Sequence, residues 1–328
     1  MANCKTMRNF SIALAVSLLF AASSLAFGRN DKGEAVTILF TGDILLDRGV
    51  RQVVERRGFH ALFADDSLRS LLKGSLPAGE RRDGAYFVVG NLECPATTIQ
   101  APAFKRFVFR AEPEWLDSLR AYGFTHLNLA NNHSVDQGRQ GLRDTRLNIL
   151  KAKLVPIGAD STMQAAAQAH LLCASPRRVW LLASNRLPLE SFSYLPDRES
   201  VSQEPFDSLL NRVKTLKMAD STAIVVVNLH WGAEHTLRPT PQQRLEARAL
   251  VDAGADVVIG HHTHTLQTTE TYNEKTIFYG IGNFIFDQQK PLNTRACVVR
   301  LRIQRDGKVS TDAIPIRIDR CAPKLHFQ

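Results

Sequence analysis

The chain has 328 residues, which is enough for one large α/β domain with a substantial core. Hydrophobic residues make up 44% and charged residues 22% of the sequence, which excludes intrinsic disorder for the body of the chain. The formal net charge is +9, but lysine and arginine are dispersed rather than gathered in one basic tract. This pattern argues against a nucleic-acid-binding protein, favours a solvated basic surface, and gives weak support for affinity toward anionic polymers.

The first residues have the pattern of a secretory signal peptide. Lys5 and Arg8 form a positive start, an apolar run follows from Phe10 to Phe20, and a small-residue cleavage pattern ends at Ala26. We therefore predict that residues 1–26 are a signal peptide and that the protein is exported, to the periplasm or the extracellular space. The alternative is an uncleaved segment that anchors the protein in a membrane, although the run is short for a span of ~20 residues.

Export would place the cysteines in an oxidising compartment. Once the signal peptide and its Cys4 are removed, four cysteines remain, which allows up to two disulfides with three connectivities. These four residues are Cys94, Cys173, Cys297 and Cys321. Their spacings do not resemble a zinc ribbon.

Short β-rich apolar runs alternate with helix-like stretches, which indicates a layered α/β fold. The informative runs are Val36–Phe40, Tyr86–Val89, His126–Leu129, Val179–Ala183, Ala223–Leu229, Asp256–Ile259 and Thr276–Tyr279. No linker composition or internal repeat divides the chain, so we predict a single domain over residues 36–320.

Three further segments have recognisable patterns. A helix is expected over Gln242–Asp252, with Thr240 as its cap and Pro241 at the first helical position. The segment Asn185–Glu204 mixes proline, serine and charge, and we interpret it as a long loop or lid. Near the end of the chain, two additional strands are expected, Cys297–Gln304 and Thr311–Ile318, joined by a turn at Asp306-Gly307.

Residue types that bind metals follow directly after five of the predicted strands. They are Asp43, then Asn91 with Glu93, then Asn131, Asn132 and His133 with Asp136, then His230, and finally His261, His262 and His264. Ligands of open α/β sheets bind at the carboxyl ends of the strands, so we expect these side chains to converge at one edge. Packing alone does not explain this distribution.

The mixture of carboxylate, amide and imidazole groups suits two divalent transition metals, Mn, Fe or Zn. Two such ions about 3.5–4 Å apart can clamp an in-line displacement at phosphorus. Each motif alone is weak, because a lone Gly-Asp after a strand is usually a turn. The segment Gly260–His264 is more specific, since three histidines so close together in one loop are rarely structural.

In their order along the chain, these motifs resemble those of the CapA-type capsule-synthesis proteins, within the calcineurin-like metallophosphoesterase superfamily. The motifs are Gly42-Asp43, Asn91-Leu92-Glu93, Ala130-Asn131-Asn132-His133 with Asp136 and Gly138, His230-Trp231-Gly232 with Glu234, Gly260-His261-His262-Thr263-His264, and Gly282-Asn283-Phe284. The resemblance covers roughly Val36 to Gln288. It implies a layered metallophosphoesterase-like β-sandwich flanked by helices.

The chain departs from the family pattern in two places. Thr263 stands where family members usually have proline between the last two histidines. The wider superfamily begins with Asp-x-His, whereas Ile44-Leu45 follows Asp43 here. The first metal therefore lacks one usual imidazole, and binding of one ion instead of two is the alternative.

The resemblance also implies roles for individual residues. Asp43 and His264 would hold the first metal, and Glu93 would bridge the two ions. The second metal would be held by Asn132, His230 and His262. His133 would protonate the leaving group or stabilise the transition state, with Asp136 orienting it. Substrate contacts would come from Glu234, Asn91 and His261.

Three functions are compatible with this reading, and the sequence leaves open whether the protein is an enzyme. The first is a metal-dependent hydrolase that acts on a phosphoester or an amide in an envelope polymer. The second is an accessory factor for synthesis or export of poly-γ-glutamate or a similar acidic polymer, working with membrane-bound synthesis partners. The third is a non-catalytic module that binds an anionic polymer through a vestigial metal site. The sequence has no Walker-type phosphate loop, so ATP-driven ligation would need a partner protein.

Overall fold

A computed structural model describes residues 35–75, 84–193, 195 and 197–326 of the chain. The predicted signal peptide, residues 1–26, lies outside the described residues, and its cleavage stays a prediction. Within the described ranges, none of the helices is both long enough and apolar enough to cross a membrane.

The described residues form sixteen strands, seven α-helices and one 3-10 helix, which alternate along much of the chain. The strands are β1 (Val36–Ile44), β2 (Ala85–Leu92), β3 (His126–Asn128), β4 (Val155–Ile157), β5 (Ala159–Asp160), β6 (His170–Cys173), β7 (Val179–Asn185), β8 (Ser200–Val201), β9 (Ile224–His230), β10 (Val257–His261), β11 (Thr269–Tyr272), β12 (Lys275–Phe278), β13 (Asn283–Ile285), β14 (Arg295–Ile303), β15 (Val309–Asp319) and β16 (Ala322–Leu325). The α-helices are α1 (Arg48–Arg57), α2 (Asp66–Lys73), α3 (Trp115–Ala121), α4 (Gly138–Lys151), α5 (Met163–Ala166), α6 (Phe206–Ala219) and α7 (Pro241–Asp252), and the 3-10 helix is Phe59–Phe63.

Two large sheets are built around parallel strands. The first has the order β16-β15-β14-β1-β2-β3-β4, with β13 also paired to β1, and its strands β1 to β4 are mutually parallel. The second has the order β11-β12-β10-β9-β7-β6, and its four central strands are parallel. Strands β5 and β8 form a small antiparallel pair. Parallel strands direct their carboxyl ends to the same edge, which is where ligands bind in such sheets.

Three apolar clusters define four layers. The first sheet packs against the second through side chains such as Phe40, Val299 and Val226. The opposite face of the first sheet is covered by helices α1 to α4, and that of the second sheet by α6 and α7. Buried on both faces, the central strands have the near-continuous apolar runs expected of parallel sheets. The predicted α/β sandwich flanked by helices is therefore observed.

The predicted elements agree with the structure in type and differ mainly in their ends. All seven strand runs are strands, and α7 begins at Pro241 after a capping box in which Thr240 and Gln243 each satisfy the other's backbone N–H. The two late strands are present, joined by a turn in which Gly307 has a φ of 82°. Strand β16 was not expected from the sequence.

The segment Asn185–Glu204, predicted as a loop or lid, is only partly a loop. Near its end, Ser200 and Val201 form the buried strand β8. Its first residue is held there too, because the Asn185 backbone N–H donates to the Ser202 carbonyl at 2.8 Å. Leu195, between these two ends, is exposed.

The four cysteines form no disulfides with one another, although the sequence allowed up to two. Each is free and buried in the structure, and their packing is that of small apolar side chains. Cys94 accepts a hydrogen bond at Sγ from the Leu46 backbone N–H at 3.4 Å. These side chains belong to the apolar clusters of the fold.

Candidate metal centre

The predicted ligands lie where strands of both sheets end. Strand β1 carries Asp43 near its end, and Glu93 comes directly after β2. From the second sheet, β9 ends at His230, and the loop after β10 carries His262 and His264. Gly42 permits this convergence, because a Cβ there would lie 2.0 Å from the Gly282 carbonyl oxygen.

Two groups of donor atoms overlap in one carboxylate. Asp43, Glu93 and His264 offer ligand atoms that all lie within 4.8 Å of one another, and so do Glu93, His230 and His262. All five residues are buried. A carboxylate common to two donor groups is the arrangement that a pair of divalent ions needs.

Glu93 provides the test of whether this set fits a metal. Both of its carboxylate oxygens are buried and have no hydrogen-bond partner among the described residues. The nearest basic atoms are His230 Nε2 at 3.5 Å and His264 Nε2 at 4.0 Å from Glu93 Oε1. Burial, together with the charge of Asp43, raises the pKa of Glu93 well above its ordinary value. A buried acid without partners is costly unless a cation neutralises it, so the donor set fits divalent metal ions.

Asp43 lies at the centre of a hydrogen-bond network. It accepts from Asn91 Nδ2 at 2.8 Å and from the His262 backbone N–H at 3.2 Å, and His261 Nδ1 lies 3.2 Å from it. Burial alone would raise the pKa of Asp43, but hydrogen bonds with His261 and His264 hold that pKa well below its ordinary range. Its carboxylate is therefore ionised and fixed in orientation, as a metal ligand should be.

His264 is oriented from its far side. Its Nδ1 lies 2.9 Å from Asn283 Oδ1, which leaves Nε2 on the side of Glu93. Burial would lower the pKa of His264, but the carboxylates of Glu93 and Asp43 outweigh it and raise that pKa to about 9. In the metal-free protein, this imidazole therefore carries a proton that a metal ion must displace.

The two histidines of the second donor group, His230 and His262, are neutral, because burial lowers the pKa of each. His230 Nε2 lies 2.9 Å from Asn132 Oδ1, so the amide oxygen of Asn132 joins this group. Burial, reinforced by His264, lowers the pKa of His262 to about 3, and His262 Nδ1 has no hydrogen-bond partner within the part of the chain that the structure describes. His262 also has a φ of 84°, which is strained for a residue other than glycine. Such strain is common where the backbone must aim a ligand.

His133 and Asp136 form a separate pair beside the donors. His133 Nδ1 lies 2.8 Å from Asp136 Oδ2, so the ring's Nε2 is the nitrogen left for other partners. The Phe109 ring packs 4.3 Å from the His133 ring, measured between centroids. Burial lowers the pKa of His133, and Asp136 partly opposes this shift.

Lys105 is a residue of this site that the sequence did not reveal. Its side chain is 2% exposed, and its Nζ lies 2.5 Å from Asp136 Oδ1, which is fully buried. The same Nζ donates to the Asn132 carbonyl oxygen at 3.0 Å. Lys105 thus connects Asp136, the partner of His133, to the backbone of Asn132. It lies in an irregular loop without a recognisable motif, so only the fold brings it to the site.

The three predicted substrate contacts lie in different surroundings. Asn91 is fully buried beneath Asp43, and its Oδ1 accepts from both Asn128 and Asn131, which places it as a residue that orients Asp43. His261 is 1% exposed, and its Nδ1 lies 3.2 Å from Asp43 Oδ1, so it also contacts Asp43. Glu234 alone lies at the rim, with its side chain 47% exposed and 3.5 Å from His235.

The fold and the donor groups together define a class, an α/β sandwich with a candidate two-metal site at its strand ends. Residues 37–288 match the family model described as "Bacterial capsule synthesis protein PGA_cap". This chain therefore belongs to that family of bacterial capsule synthesis proteins, and the family prediction from its motifs is confirmed.

Several relatives cover most of the chain. The "PGA biosynthesis protein CapA" of Bacillus subtilis (strain 168) is 31% identical over 296 residues, which are 88% of this chain and 73% of the relative. The "Capsule biosynthesis protein CapA" of Bacillus anthracis is 30% identical over 320 residues, 95% of this chain and 75% of the relative. A "Probable polyglutamine synthesis accessory protein" of Mycobacterium tuberculosis (strain CDC 1551 / Oshkosh) is 28% identical over 288 residues, 78% of this chain and 76% of the relative.

Solved structures show a weaker likeness. The sulfate thiohydrolase SoxB of Thermus thermophilus has a TM-score of 0.48 at 14% identity, and 88% of this chain covers 58% of that chain. The NAD nucleotidase of Haemophilus influenzae has a TM-score of 0.47 at 13% identity, with coverages of 87% and 56%. This chain spans little more than half the length of each of these two proteins.

The contact between Lys105 and Asp136 makes a first prediction about stability. Replacing Lys105 by Met leaves Asp136 buried without its cation, so we expect the free energy of unfolding to fall by about 3–5 kcal/mol. The double variant Lys105→Met/Asp136→Asn removes both charges and should recover part of that loss. Urea denaturation measures the free energy of unfolding of both variants.

The matched control is Lys275→Met. Lys275 forms an ion pair with Asp256, and its side chain is 42% exposed, so its loss should lower the free energy of unfolding by less than about 1 kcal/mol. Equal losses in Lys105→Met and Lys275→Met would contradict the buried pair.

The raised pKa of His264 makes a second prediction, about metal affinity. Below pH 9 the imidazole is protonated in the metal-free protein, and the ion must displace that proton. The apparent affinity for Mn²⁺ should therefore decrease about fivefold from pH 9 to pH 8 and about ninefold from pH 8 to pH 7, as expected for one displaced proton. Calorimetric titrations in buffers of different ionisation enthalpy measure both the affinity and the released proton. An affinity that does not change over this range would show that His264 is not a ligand.

Proposed function

We propose that this protein is an exported member of its family that binds divalent transition metals and hydrolyses a phosphoester or amide bond in an acidic envelope polymer. The single observation that supports this most is Glu93, a buried carboxylate without partners that two histidine-containing donor groups share. Such an acid is expected at a metal pair and is hard to explain in a structural core. The names of the curated relatives associate them with capsule and poly-glutamate synthesis, which supports an acidic polymer as the substrate class.

The residues divide into ligands and a proton-transfer group. Asp43, Glu93 and His264 would hold one ion, and Glu93, His230, His262 and Asn132 the other. When bound, the ions would supply Lewis-acid polarisation of the scissile group. His133 would carry the transferred proton at Nε2, because Nδ1 faces Asp136. Asp136 would keep the ring in one orientation and stabilise it when it is charged.

A second candidate is an accessory role in polymer synthesis or export, without turnover. The observation that favours it is the name of the Mycobacterium tuberculosis relative, which is described as an accessory protein. The motifs of this chain include no Walker-type loop, so membrane-bound partners would supply the energy for polymerisation. In this role the metal site would bind the polymer rather than cleave it.

Export makes a third prediction. The mature protein should lack residues 1–26, because the positive start, apolar run and small residues before position 27 suit a signal peptidase. Intact-mass measurement of protein recovered from the periplasm or the medium checks this. Recovery of the full-length chain in the membrane fraction would instead support the anchored alternative.

A fourth prediction follows from the division into metal ligands and the proton-transfer residue His133. Metal binding and catalysis should be separable by mutation. Replacing Glu93 by Ala should remove the metals, because both donor groups lose a ligand. Replacing His133 by Ala should leave the metal content nearly intact, while kcat on a generic phosphodiester falls by roughly 10²–10⁴. Elemental analysis measures the metal content, and turnover of a phosphodiester with an alkyl leaving group, which must be protonated as it departs, measures kcat. The control is His60→Ala, an exposed histidine in the 3-10 helix, which should change neither.

Each part of this proposal can fail separately. Loss of metal from the His133 variant as readily as from the Glu93 variant would overturn the assignment of roles. A metal-loaded protein that turns over no phosphoester, peptide or γ-glutamyl substrate would favour the accessory role. Absence of transition metal even after reconstitution with Mn²⁺ or Zn²⁺ would overturn the metal site itself.

A further inference from the structure

Three cationic residues form a row across three adjacent strands. Arg295 of β14 is directly opposite Arg317 of β15, and Arg317 is directly opposite Lys324 of β16. Residues that pair in this way project from the same face of a sheet, and neighbouring strands are about 4.8 Å apart. All three residues are exposed. We call these three residues the basic row.

The row is not neutralised by the residues around it. Among the described residues, neither Arg295 nor Arg317 makes a side-chain hydrogen bond or an ion pair. Lys324 pairs with Asp319 at 2.7 Å, and Arg320, outside the row, lies 3.6 Å from the same carboxylate. Like charges directly opposite on a sheet repel and destabilise it. A row of this kind is therefore better explained by an anionic ligand than by the folding of the sheet.

Two cavities lie along the row. The larger, of about 480 Å³, is lined by Arg317, Lys324 and Thr294 among others, and the smaller, of about 370 Å³, by Arg295 and Arg317. His326 lines both. The surface beside the basic row is thus indented next to all three of its residues.

The row also begins close to the candidate metal centre. Asn293, two residues before Arg295, donates from Nδ2 to the His264 carbonyl oxygen at 2.9 Å. Its own carbonyl accepts from Asn283 Nδ2, and Asn283 is the residue that orients His264. A ligand on the row is therefore adjacent to the segment that supports the metal-site loop.

We infer that the basic row is a binding subsite for an acidic polymer with carboxylates repeated at short intervals. The choice of an acidic polymer as the ligand rests on the proposed function. The location of the subsite rests on the basic row alone. Guanidinium groups bind carboxylates through paired hydrogen bonds, and two unpaired arginines in register can hold two carboxylates of one chain. A single glutamate can occupy only one of these positions.

The test uses the full mature protein and a fluorescent poly-γ-glutamate oligomer in EDTA at low ionic strength. EDTA removes the contribution of the metal centre, so failure of the proposed hydrolysis does not affect the result. In the variant Arg295→Gln/Arg317→Gln, the dissociation constant from fluorescence anisotropy should rise about tenfold or more. Free glutamate should not displace the oligomer. Thermal unfolding should show no loss of stability, because the substitutions relieve repulsion within the row.

The matched control removes the same charge elsewhere. Arg143 and Lys151 are exposed on α4, which packs beside β4, at the opposite edge of the sheet from β16. Arg143→Gln/Lys151→Gln should change the dissociation constant by about twofold or less, since charges far from the ligand are screened. Equal weakening of binding in both double variants would show that only the net charge matters, and would overturn the subsite. An absence of oligomer binding to the wild-type protein would also overturn it. Tighter binding of polyphosphate than of poly-γ-glutamate would overturn the carboxylate assignment.

Discussion

The site depends on one buried acid. Glu93 is 1% exposed and faces histidines from two different segments, and neither of its carboxylate oxygens has a hydrogen-bond partner in the described ranges. Keeping an acid in this position is unfavourable unless a cation compensates for lost hydration. The rest of the local structure can be understood from this constraint. The surrounding donors lie close enough to share ions with Glu93, and the residues behind them fix their orientation.

Much of this arrangement could be predicted from the sequence, because parallel strands impose a simple rule. The apolar runs predicted the strands, and the polar residues after each run predicted which residues meet at the carboxyl-terminal edge of the sheets. The observed strands continue into these polar residues, so that Asp43, Asn91 and His230 are themselves part of the sheets. Strands predicted from apolar side chains alone therefore end too early, because these buried residues are polar and do not resemble core residues.

Other parts could not be predicted, because they depend on contacts distant in sequence. Lys105 comes from an irregular loop and reaches Asp136 only through the fold. The absence of the usual imidazole after Asp43 has a local explanation that the sequence did not give. Leu45 stands at that position, fully buried in the helix-side core, and its backbone N–H donates to the Ile285 carbonyl. In this chain, His261 of β10 approaches Asp43 instead.

The candidate metal ligands and His133, the proposed proton-transfer residue, are held in place by largely separate contacts. The candidate ligands lie at strand ends of two sheets, so their positions depend on the core between those sheets. His133 is held by Asp136, which is fixed in turn by Lys105 and by the Phe109 backbone N–H at 2.7 Å. The two sets of contacts meet at Asn132, whose side chain contacts His230 and whose carbonyl accepts from Lys105. Asn132 therefore connects His133, through Lys105 and Asp136, to His230 among the candidate ligands.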